Sequence, residues 1–96
     1  MTNINMKEYN KIITEIKQLS IIKNNDYGCN SILRFGIRGI TIRLYDKIER
    51  LITLTTKNHK QLVNDENIED TAKDIVNYAT YIILLSRDKF IKNDDT

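Results

Sequence analysis

Proline is absent from this 96-residue chain, and glycine occurs only at Gly28, Gly36 and Gly39. With so few breakers, long uninterrupted helices are open to it. Cys29 is the only cysteine, which excludes an internal disulfide. His59 is the only histidine, so no tetrahedral Cys/His zinc site can be assembled within one chain. Such cysteine usage suits a reducing, cytoplasmic setting, with Cys29 a small packing residue rather than a nucleophile. Long apolar runs are missing too. Ala79 to Leu85 is far short of a membrane span and carries Thr80 and Tyr81. Residues 1–7 lack the apolar core of a secretory signal, so a soluble protein with no membrane partner is expected. A net charge of +2 is too mild an excess to imply nucleic-acid binding. Phe35-Gly36-Ile37-Arg38-Gly39 fits no phosphate-cradling glycine loop, and no Ser, Thr or Cys shows nucleophile–base spacing.

What is present is helical periodicity. Met6, Tyr9, Ile12/Ile13, Ile16, Leu19/Ser20 and Ile22/Lys23 recur at three- and four-residue steps, predicting a helix over about 5–23. Lys23-Asn24-Asn25-Asp26-Tyr27-Gly28 reads as a turn that ends it. A short helix is expected over 31–36, closed by Gly36, with a second break at Gly39. Ile40, Leu44, Ile48 and Leu51 then mark a third helix to about residue 57. Ile68, Ala72, Ile75, Ala79 and Ile82 predict a last helix from about Ile68 to Arg87. Asn67, with Asp70 three residues on, forms a variant capping box before it. The tail from Lys92 to Thr96 is expected to fray. The expected fold is a single all-α domain: a small bundle of three long helices and one short one. So short a chain buries a small share of its surface, and oligomerisation is the usual remedy.

Charge is distributed unevenly. Arg34, Arg38, Arg43 and Arg50 fall between residues 34 and 50, whereas Asp65, Glu66, Glu69, Asp70 and Asp74 fall between 65 and 74. Arg43, Lys47 and Arg50 share one helix face, with Asp46 beside them. Isolated charges of this kind usually form a solvated face with i,i+4 pairs such as Asp46–Arg50. Three cations around one carboxylate exceed mutual neutralisation, however, and arginine's planar fork matches phosphate. Asp70 in a first turn complements the helix dipole. Asp74 and Asn77 precede or begin a segment that is apolar nearly all round, so they should face another helix or a cleft. A carboxylate placed there needs a cation, a metal or several donors. Carboxylates one turn apart, facing others on a neighbouring helix, are how bundles hold Mg²⁺. Tyr27 could stack on a base or pack over a bundle end.

Asn25-Asp26-Tyr27-Gly28, Phe35-Gly36, Ile42-Arg43, Asp46-Lys47, Arg50-Leu51, Val63, Asp65-Glu66, Ile68-Glu69-Asp70-Thr71, Asp74 and Asn77-Tyr78-Ala79 occur in a characteristic order. In this, about residues 20–85 resemble the nucleotide modification associated domain proteins of phages and firmicutes, of the first, small α-helical type. That family looks like a compact relative of the MazG-like all-α NTP pyrophosphohydrolases, which bind Mg²⁺ through Glu-x-x-Glu and Glu-x-x-Asp pairs. This chain departs from those pairs, with Asp46-x-x-Glu49 and with Asp70 and Asp74 one residue wider. The resemblance implies a phage-type protein acting on nucleotide pools, base modification or host defence.

The expectation is therefore a helical oligomer that captures a nucleotide between helices. Arg43, Lys47 and Arg50, with Arg34 or Arg38, would hold phosphates, and Tyr27, Asn77 or Tyr78 would contact the rest of the ligand. Asp46, Glu49, Asp70 and Asp74 would hold Mg²⁺, with Asp74 and Glu66 as catalytic carboxylates if a triphosphate is hydrolysed. The alternatives are a non-catalytic sponge for a nucleotide defence signal, and an accessory module with no small-molecule site.

Overall fold

Three helices follow from the apolar periodicity, joined in the order α1 (Met6–Tyr27), α2 (Asn30–Thr55) and α3 (Ile68–Ser86). The structure, a computed structural model, describes residues 2–27, 29–56 and 67–92, with side chains for all of these except 25–27. Among the described residues there is no strand, and no helix is long and apolar enough to cross a membrane.

α3 is the spine. α2 packs along it, α1 packs on it less extensively, and among the described residues α1 and α2 do not pack on each other. Ile16 on α1 and Ile40 on α2 are the buried hydrophobic side chains among the described residues. Several expectations change here. α1 continues to Tyr27, so the stretch from Lys23 is helical where a turn was expected, and Lys23 lies on the face of Ile16 and Ser20 as the stripe implied. The apolar stripe of α3 is also rotated from the expected one. Thr71 and Asn77 are its buried residues, whereas Ile68 and Ala79 are exposed. On α2, Ile48 is exposed as well, and so are Met6, Tyr9, Ile12 and Ile13 on α1.

The expected close of the short helix at Gly36 is present as a kink inside α2, and the expected second break at Gly39 is absent. α2 runs through Gly39 without a break, and only Gly36 leaves helical geometry, at φ 62° and ψ −153°. The arm from Asn30 to Phe35 is thereby folded so closely against the next turn that Gly39 has no room for a side chain. A Cβ there would stand 2.5 Å from the Phe35 Cβ.

Both ends of α3 are capped. The Asn67 side chain accepts a 2.8 Å hydrogen bond from the Asp70 backbone N–H, the forward half of the expected capping box. At the other end, Lys89 N–H donates to the Leu84 carbonyl at 2.8 Å and Asp88 N–H to the Leu85 carbonyl at 3.0 Å. Those two bonds define a Schellman motif, with Asp88 at the left-handed position, φ 54°. The turn brings Phe90 back onto Tyr81, edge to face, with ring centroids 5.6 Å apart. An aspartate tolerates that backbone less well than glycine. Asp88→Gly should therefore raise stability by about 0.5–1 kcal/mol, read as a higher denaturation midpoint with an unchanged denaturant slope.

Candidate functional site

The extension of α1 beyond Lys23 and the bend in α2 both serve one place: a cleft of about 610 Å³ enclosed by the three helices and the segment after α3. Lys23 and Asn24 come from α1, Ser31 and Arg43 from α2, and Asn77, Tyr78 and Tyr81 from α3, with Phe90 at one edge. A second hollow of about 300 Å³ lies inside the bend of α2, between Phe35, Gly39 and Ile42, with Arg38 and Arg43 on its wall. It is lined almost wholly by apolar atoms, whereas polar side chains gather in the larger cleft.

Electrostatics are set by Asp74. Its Oδ1 accepts a hydrogen bond from Lys23 Nζ at 2.8 Å, and its Oδ2 lies 3.0 Å from Lys47 Nζ. One carboxylate thus ties α1 and α2 to α3 at the rim of the cleft, its side chain only 13% exposed. Burial raises the pKa of the Asp74 carboxyl, but the hydrogen bonds and charges of the two lysines outweigh it and hold the group below its ordinary value. Lys73, on the adjacent face, bridges Glu69 at 3.1 Å and Glu15 of α1 at 3.4 Å. Those carboxylates, Glu69 first, raise its pKa against the opposing effect of burial.

Within the cleft, Arg43 donates to Ser31 Oγ at 3.2 Å, so the bent arm of α2 holds the guanidinium on the wall. Tyr81 OH and Ser20 Oγ form a short hydrogen bond from α3 to α1. Tyr78 packs edge-on to Tyr81 at 6.4 Å, so two phenol rings and Phe90 make an aromatic side to the cleft. Opposite in character is Asn77. It is 7% exposed, and its Nδ2 finds no acceptor among the described residues. An unmet buried donor costs about 1–3 kcal/mol, and is the type of group that a ligand atom satisfies.

Of the residues singled out from the sequence, Arg43, Asn77 and Tyr78 line this cleft, and Lys47 reaches its rim through Asp74. Arg50 lies two turns beyond Arg43 on the exposed side of α2. Arg34 packs over the Phe35 ring at 6.0 Å, and Arg38 lines the smaller hollow, so neither joins Arg43 in the larger one. The side chain of Tyr27, and Glu66 altogether, lie outside the described residues. The proposed Mg²⁺ donors are dispersed. Asp46, Glu49 and Asp70 are exposed, and Glu49 bonds the Tyr45 hydroxyl, which raises the phenol pKa. Asp74 has both oxygens on ammonium groups. Among the described residues no three His, Cys, Asp or Glu side chains come together. Ser20 and Lys23 stand in the expected stripe of α1, but only as helix-face positions; their four- and seven-residue steps from Ile16 are the signal that turns them toward α3.

No curated protein and no solved structure matches the chain. Residues 23–85, which span the cleft from Lys23 to Tyr81, match the family model described as nucleotide modification associated domain 1, and the chain belongs to that family.

Proposed function

We propose that this protein captures a phosphate-bearing nucleotide in the cleft between its helices and holds it without turning it over. One observation carries the reading: a single cavity is lined by Arg43, Lys23, Tyr78 and Tyr81 together with Asn77, whose buried amide nitrogen finds no acceptor among the described residues. A cavity of about 610 Å³ falls in the range of small-molecule sites, which is roughly 300–1,000 Å³. Arg43 and Lys23 suit phosphate oxygens, the tyrosine rings suit a base, and the Asn77 amide suits a carbonyl or phosphate acceptor. Membership of a nucleotide-associated family supports the ligand class. Capture without hydrolysis is favoured over MazG-like pyrophosphohydrolysis because Asp74 is committed to two lysines rather than turned to a metal. A role in sequestering a nucleotide signal follows from such a site if affinity is high.

Thermal shift and calorimetry against mono-, di-, triphosphate and cyclic nucleotides test the reading. A ligand that binds only the folded state stabilises it by mass action. At least one nucleotide should raise the melting temperature in EDTA and be recovered intact after denaturation. Product released only with Mg²⁺ would make the protein a hydrolase, and no shift with any nucleotide would remove the small-molecule site altogether. Arg43→Ala should weaken binding about 10- to 100-fold, the loss of a charge-assisted hydrogen bond. Asn77→Leu should weaken binding too, yet stabilise the ligand-free protein, because it deletes the unmet donor.

A further inference from the structure

We infer that the side of the α2–α3 pair turned away from Asp74 is the surface on which two copies of this chain associate. Lys47 of α2 pairs with Asp74 of α3, and Arg43, one turn earlier, shares the cleft with Asn77 and Tyr78, one turn later. The two helices therefore run antiparallel. On α2, Ile40, Leu44 and Leu51 face α3 while Arg43 turns toward the cleft, so Tyr45, Ile48 and Ile52 occupy the opposite flank. On α3, Asp74, Asn77 and Tyr81 face the cleft and α1, so Ile68, Val76 and Ile83 occupy the flank on that same far side. All six are between 38% and 54% exposed. Thr41, Ala72 and Ala79 fill the helical positions between them, and Glu49, bonded to the Tyr45 hydroxyl, marks the edge of the surface.

Three properties select a second copy as the occupant. A two-fold interface sets the same patch against itself, which a charged patch resists through like-charge repulsion and an uncharged one does not. The six side chains and the small residues between them expose on the order of 700 Å², close to the roughly 800 Å² that each partner contributes to a stable interface. The protomer also needs more burial than Ile16 and Ile40 supply, since chains of this size rarely gain enough from one core. The small Ala72 and Ala79 leave space for a facing helix to approach. Association on this side leaves the cleft of each copy open to solvent.

Sedimentation equilibrium on the full chain tests this. The wild type should show at least twice the 11.3 kDa chain mass, little affected by salt, and Ala79→Glu should lower that mass at least twofold. Ala79 is exposed in the protomer, so the charge should leave its helices intact by circular dichroism. Tyr9→Glu, on the exposed apolar face of α1, should keep the wild-type mass. A wild type at 11.3 kDa, an unchanged mass for Ala79→Glu, or dissociation by Tyr9→Glu alone would each overturn the inference. Should Ala79→Glu fail to fold, the wild-type melting temperature decides: it should rise with protein concentration, and a constant value would overturn the interface.

Discussion

Gly36→Ala should lower stability by about 2 kcal/mol, the central value for a residue forced into a sparsely allowed backbone region. For a chain of 96 residues that is a fall of roughly 8–16 °C in melting temperature at fixed protein concentration. Gly36 sits at φ 62° and ψ −153°, a combination essentially restricted to glycine. Nothing lies within 4 Å of where a Cβ would be, so the cost is backbone strain and not a clash. Gly39→Ala should be damaging for the opposite reason. Its backbone is helical, but the new methyl would stand 2.5 Å from Phe35 Cβ, which is anchored to the backbone and cannot swing aside. Overpacking of that kind costs about 1–3 kcal/mol. The two glycines thus act in sequence: one makes the bend and the other accommodates it. The bend matters to the cleft because it places Ser31 against Arg43. Gly36→Ala should accordingly weaken nucleotide binding as well as folding, whereas a strained position with no link to the site would change only the melting curve. Circular dichroism melts and calorimetry on the same variant separate the two.

The helices were legible because their signals are local. Apolar steps of three and four mark α1, α2 and α3, and Asn67 with Asp70 marks the start of α3 within one residue. Which face of each helix is buried was less legible. On α3 the longest apolar stripe, Ile68 to Ile82, is only half turned inward, while Thr71 and Asn77 are buried. A stripe records that some partner covers it, but not whether the partner is the same chain, so a surface closed by a second copy reads like an internal core. The charged residues show the same limit. Arg43 and Asp74 could be assigned to one neighbourhood, since each was hard to explain as solvated decoration. That Asp74 pairs with two lysines depended on which way Lys23, the last residue of the expected helix, is turned, and an apolar stripe read on one helix does not say which partner its polar end meets.

Asp74→Asn should separate folding from binding in opposite directions. The carboxylate joins Lys23 of α1 and Lys47 of α2 at 2.8 and 3.0 Å, so losing its charge leaves two ammonium groups facing a neutral amide. Breaking a fully buried pair costs about 3–5 kcal/mol. Lys23 is 45% exposed, and solvent screening reduces that figure, so about 1–2 kcal/mol is expected. The pH dependence follows from the lowered pKa of Asp74. Its folded-state value lies below the unfolded one, so its contribution is complete above the unfolded pKa of about 3.9 and disappears as pH falls through the folded value. Wild-type stability should therefore drop in that acid window, and the Asn variant, already lacking the contribution, should lose less there. Lys73 gives the alkaline counterpart. Its pKa is raised by Glu69 and Glu15, so its contribution is full below the ordinary lysine value and lost as pH climbs through the higher folded one. Binding should move the other way. Asp74 is an anion set beside the cations that would receive a phosphate, and it competes with any anionic ligand for Lys23 and Lys47. Removing its charge should tighten binding of a nucleoside triphosphate by about tenfold, about 1.4 kcal/mol, at low salt, with the gain shrinking as salt rises. A less stable protein with higher affinity would mark Asp74 as a clamp that yields its lysines to the ligand. Weaker binding by Asp74→Asn would overturn that assignment and place the carboxylate among the groups that hold the nucleotide.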